Sequence, residues 1–98
     1  MSENIDNRLE ELGINLPTPA QSVANYVPFV LTGNLVHISG QIPILNGDLK
    51  YVGKIGAELT LDDGYSAARL CGLNLIAQAR AAAGGDLNRV SQVVKIGG

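Results

Sequence analysis

The sequence holds a single cysteine, Cys71, and a single histidine, His37, among its 98 residues. One cysteine excludes an intrachain disulfide. One histidine, with no Cys-rich spacing around it, excludes the usual zinc sets, and no metal site is expected. No glycine-rich phosphate loop or dinucleotide fingerprint occurs, and no Ser/His/Asp arrangement is visible, so no cofactor is expected. The seven basic residues are scattered singly and the net charge is -2. That pattern argues against nucleic acid as a partner, because sequence-independent binding needs a basic surface that displaces counterions. No apolar run approaches the roughly 20 residues that span a bilayer. The acidic start MSENIDNRLEELG is unlike a signal or transit peptide. These absences lead to the expectation of a cytoplasmic protein with a reduced thiol and no membrane partner.

What is present fits one globular domain: 46% hydrophobic residues, 16% charged, twelve glycines and four prolines. Ile5, Leu9 and Leu12 stand at helical spacing, and Gly13 suits a helix stop. LPTP at 16–19 then forces an extended segment. NYVPFVLTGN reads as a strand with Val27, Phe29 and Leu31 on one face, and LVHIS at 35–39 as its hairpin partner. Pro28 marks an edge or bulge. Pro43 ends the second strand, and Asn46-Gly47-Asp48 is a turn signal. Residues 49–56 read as a loop with room for a short strand.

A long helix begins near Leu61, with Thr60 and Asp63 spaced as a capping box. Its expected buried face is a stripe of small residues: Gly64, Ala68, Cys71, Leu75, Ala79 and Ala82. Gly84-Gly85 stop it, and VSQVVKIGG at 90–98 reads as a further strand. The order of hairpin, loop, helix and strand predicts an α+β fold with a helix covering one sheet face.

Few residues offer chemistry. His37, between Val36 and Ile38, reads as a buried or half-buried structural histidine. Cys71 reads as a packed thiol, since reactive thiols need an exposed electropositive setting. Asp62 and Asp63 are adjacent at a helix start and read as caps. HISGQIPILNGD, residues 37–48, is more suggestive: a strand ends on Ser39-Gly40-Gln41 and breaks at a proline. Gly40 is either a strand end or a place where backbone meets a ligand without side-chain obstruction. Tyr26 is equally an edge aromatic or a hydroxyl turned to a pocket.

The run ISGQIP at 38–43 resembles the Rid/YjgF family of reactive intermediate deaminases, formerly labelled L-PSP endoribonucleases. The Tyr before the first strand, the TGN-LVHISGQIP hairpin and the Ala/Leu-rich helix follow that family's order. So do the Gly-Asp-Leu-x-Arg-Val turn and the Val-Val-Lys-Ile strand. The start LGINLPTPAQSVANYVPFV is most similar to the divergent YjgF-like branch that carries an endoribonuclease label.

The resemblance implies a chorismate-mutase-like fold, a sheet with helices on one face, assembled as a homotrimer with ligand pockets between subunits. It implies that residues 1–98 form a single domain lacking the family's C-terminal part. It also implies a substrate site containing Tyr26, Ser39, Gly40 and Gln41. The implied activity is that of a hydrolase acting on enamines or imines of the 2-aminoacrylate type, giving a keto acid and ammonia. The implied ligand is a small carboxylic acid or imine. Two departures qualify that reading. Ala24-Asn25 stands where active deaminases carry Gly-Pro. The family's arginine, asparagine and glutamate fall beyond residue 98, and Arg69, Arg80 and Arg89 do not replace them. A non-catalytic ligand-binding or chaperone-like trimer, and an endoribonuclease, are the alternatives.

Overall fold

The computed structural model describes residues 4–19 and 27–98. Helix α1 spans Ile5–Glu11 and is capped by Asn4, whose side-chain oxygen accepts the N–H groups of Asp6 and Asn7. Gly13 follows at φ +69, the left-handed stop expected from the sequence. A helix of seven residues is too short to be stable alone. It is held from the far end of the chain. The Asn88 side chain accepts the Ile5 N–H at 2.9 Å, and Arg80 meets Asp6 at 2.7 Å. The turn it packs on is a 3-10 segment, Leu87–Arg89. Leu9 and Leu87 are both buried.

Strands β1 (Phe29–Thr32) and β2 (Leu35–Ile38) form the expected antiparallel hairpin, with Val30 opposite His37 and Thr32 opposite Leu35. Gly33, at φ +58, supplies the left-handed residue that a two-residue hairpin loop needs. A second, unexpected hairpin follows at once. Strands β3 (Ile44–Leu45) and β4 (Asp48–Leu49) pair across Asn46-Gly47. Both turn residues have positive φ, 51° and 88°, as a type I′ turn requires. The turn signal was legible, but two-residue strands are too short to show a pattern.

Helix α2 (Leu61–Ala82) dominates the molecule and packs on β1, β2 and β3. Its capping box is complete. Thr60 Oγ accepts the Asp63 N–H at 3.1 Å, and the Asp63 carboxylate accepts the Thr60 N–H at 2.9 Å. At the other end, Gly85 N–H returns to the Arg80 carbonyl and Gly84 N–H to that of Ala81. This is a Schellman stop, with both glycines left-handed. Near the start, a Cβ on Gly64 would stand 2.9 Å from Ile55 Cδ1, so glycine lets the preceding loop close on the helix.

Three expectations are corrected. The buried line of α2 runs through Asn74, Ala77 and Gln78, with Ala67 and Leu70 half-buried and Ala68 exposed. At 100° per residue it is turned roughly 90° from the small-residue stripe. Apolar periodicity misplaced it because two polar side chains belong to the inner face. His37 is exposed, since the sheet face it shares with Val30 and Leu35 has no cover among the described residues. Residues 90–98 form no strand, and Val93, Val94 and Ile96 are exposed. A strand exists only through its ladder. No described strand runs beside this segment.

Candidate functional site

Ser39, Gly40 and Gln41 leave the end of β2, and each is fixed differently. Ser39 prolongs the hairpin: its N–H donates to the Pro28 carbonyl at 2.9 Å, and its hydroxyl donates to the Val27 carbonyl. Gln41 folds back, its amide Nε2 donating to the Ser39 carbonyl at 2.9 Å. Gly40 lies between these two anchors, exposed, and a Cβ placed on it would meet no atom of the described residues within 4 Å. Packing among the described residues therefore does not demand glycine there.

The chain beyond Gln41 is held from the helix. Asn74 is fully buried, and its Nδ2 donates to the carbonyls of Ile42 at 3.1 Å and Ile44 at 2.9 Å. Those carbonyls flank Pro43, whose ring nitrogen has no hydrogen to offer a ladder. The side-chain amide replaces sheet bonds that this bend cannot make. Asn74 Oδ1 is buried with no hydrogen-bond partner among the described residues, an arrangement that costs free energy and is uncommon in folded proteins.

The sequence reading missed Asn74. Its only signal is a polar residue within an apolar run, Leu73-Asn74-Leu75-Ile76. Of the predicted site residues, the structure brings Ser39, Gly40 and Gln41 together on one strand exit. Tyr26, with Ala24-Asn25 before it, lies outside the described residues.

The assembled groups are neutral donors and acceptors. They can orient a polar ligand, but they supply no base, nucleophile or charged anchor. Cys71 is half-buried on α2, and desolvation pushes its thiol above the ordinary range, so the thiolate is disfavoured. The expectation of a packed thiol agrees with this. No helix among the described residues is long and apolar enough to cross a membrane.

Comparison with known proteins places this architecture. Protein TCP17 of Trypanosoma cruzi is 42% identical over 95 residues, covering 97% of this chain and 59% of that protein. A crystal structure described as a putative endoribonuclease from Shewanella oneidensis superposes with a TM-score of 0.85 at 41% identity. It covers 93% of this chain and 60% of its own. The protein Atu1372 of Agrobacterium tumefaciens, of unknown function, matches with a TM-score of 0.72 at 43% identity, over 86% of this chain and half of its own. The chain thus spans about three-fifths of the length of the curated relative it matches. The family model described as "YjgF/chorismate_mutase-like, putative endoribonuclease" matches residues 6–98. With its α+β architecture and the fold of the Shewanella protein, this chain belongs to the YjgF/chorismate mutase-like family.

Proposed function

We propose that this protein works as a Rid-type trimer in the cytoplasm. Three copies build a cleft around Ser39, Gly40 and Gln41, and the complete protein hydrolyses small enamines or imines there. The observation that carries the reading is the open space over Gly40, held between two hydrogen-bonded neighbours. A glycine that no described residue crowds suits the approach of a ligand or of a second copy. The uncovered β1–β2 face, with Val30 and Leu35 about half exposed, supports assembly.

In this reading, the backbone at Gly40 and the amide of Gln41 orient the substrate beside Tyr26. Water adds to the imine carbon, the carbon–nitrogen bond breaks, and ammonia leaves as the keto acid forms. The resemblance implies that the residues holding a substrate carboxylate and positioning water would lie beyond residue 98. A small carboxylic acid or imine is the ligand class, with no metal or cofactor in the scheme.

The test is ammonia release from 2-aminoacrylate by the purified complete protein, with its mass measured under native conditions. Trimers that release ammonia, and lose that activity when Tyr26 is changed to Phe, support the reading. A trimer that is stabilised by small keto acids without turnover supports a binding protein instead. RNA cleavage is the remaining reading, favoured by the description of the family. The net charge of -2 counts against it. Cleavage that survives extensive purification and depends on a residue of the cleft would establish it.

A further inference from the structure

A concavity lies on the flank of α2, and it shares no residue with Ser39–Gln41. It is an open cleft of about 590 Å³ between α2, the exit of β4 and the extended segment after α1. Leu70 and Leu73 give it an apolar floor, while Lys50, Tyr51, Ser66 and Arg69 bring polar groups to it. Among the described residues no aspartate or glutamate lines it, although acidic residues outnumber basic ones in the chain.

The arginines fall into two groups. Arg8 pairs with Glu11, Arg80 with Asp6, and the Arg89 guanidinium donates to the Ala83 carbonyl. Arg69 and Lys50 have no carboxylate within ion-pair distance among the described residues. Two cations lining one cleft make it favourable to an anion. Tyr51 adds an independent mark. It sits at φ +53, left-handed backbone that is an outlier for a bulky side chain. Such strain gathers at ligand clamps.

We infer that this cleft binds a small organic anion, an acidic head on an apolar body, with Arg69 and Lys50 holding the head over Leu70 and Leu73. The Arg69 fork takes two oxygens of the head, and the Lys50 ammonium acts as a point charge beside it. The cleft is a site additional to the one around Gly40 and does not depend on imine hydrolysis. Carboxylate and phosphate heads share the recognising chemistry, and only the experiment separates them.

The experiment is a titration of the intact, isotope-labelled protein with benzoate, phenyl phosphate and neutral benzyl alcohol, followed by amide NMR shifts. The expected result is saturable movement of amides at 49–51 and 66–73 with one or both anions, and none with the alcohol. The better-bound anion then identifies the head. Arg69→Gln should weaken binding at least about tenfold, because one charge-assisted hydrogen bond alone is on that scale. Ser66→Glu, on the exposed side of the helix, should weaken it at least as much while leaving the unperturbed spectrum folded. Movement centred on 39–41 instead, equal response to benzyl alcohol, or unchanged binding in both variants would overturn the proposal.

Discussion

The two halves of this molecule solve the same problem differently. Helix α2 closes both of its ends with its own neighbours: a reciprocal Thr60–Asp63 box at the start and a Schellman turn through Gly84-Gly85 at the stop. The strands do not close. Among the described residues, the two short hairpins share no ladder, Val30, Leu31, Leu35 and Val36 stand exposed, and 90–98 pairs with no strand. A helix satisfies its backbone within one segment, whereas a strand always borrows satisfaction from another. The helical side is thus closed on itself, whereas the β side is left open among the described residues.

The contrast is broken most sharply at the one side chain that crosses it. Asn74→Asp puts a carboxylate, without N–H groups, against the Ile42 and Ile44 carbonyls in a fully buried place. The expected loss is about 3 kcal/mol or more at neutral pH, read from urea unfolding. Burial raises the introduced group's folded-state pKa above its unfolded value. The variant is therefore least destabilised in acid, and it loses stability as pH rises through the carboxylate range. A flat pH profile would mean the site is wetter than the structure indicates.

A smaller effect is expected from the self-contained half. Thr60→Ala removes one arm of the capping box and should cost about 1 kcal/mol, measured by the same unfolding curve. Thr60→Ser should restore most of it. On the β side, Val30→Lys should leave monomer stability within about 0.5 kcal/mol, because the position is half exposed. It should nevertheless dissociate any assembly that uses this face, visible as a mass change under native conditions. Dissociation without destabilisation is the outcome that would separate a docking face from a folding face.

The smallest effect belongs to Cys71. Its thiol, raised by desolvation, should alkylate with iodoacetamide more slowly than a free cysteine at neutral pH. Its rate should keep climbing past the pH where an ordinary thiol levels off. Because the folded state favours the protonated thiol, any stability it contributes is present below the unfolded pKa and declines as pH rises through and beyond it.

The same division governed what could be read in the sequence. Thr60 with Asp63, Gly84-Gly85, Asn46-Gly47 and Gly13 act on chain within a few residues, so residue order alone places each of them. The orientation of α2 could not be placed that way, because Asn74 faces inward only for carbonyls 30 and 32 residues earlier. The exposure of His37 and the unpaired 90–98 segment were unreadable for a related reason. Val36, Ile38, Val93 and Val94 announce burial, but not which surface will provide it. At the candidate site, the Ser39-Gly40-Gln41 break was visible as a pattern, while the clamp behind it was not.

The bonds from α1 to the far end of the chain have a consequence in time. Ile5 waits for Asn88, 83 residues later, and Asp6 for Arg80, 74 residues later. At about 5–20 residues per second, a ribosome needs roughly 4–17 seconds to deliver Asn88 after Ile5. Throughout that interval the first turn of helix is a free peptide too short to hold its shape. Helix α1 is thus made long before the turn it docks on, and its docking reports that translation has passed the end of the long helix.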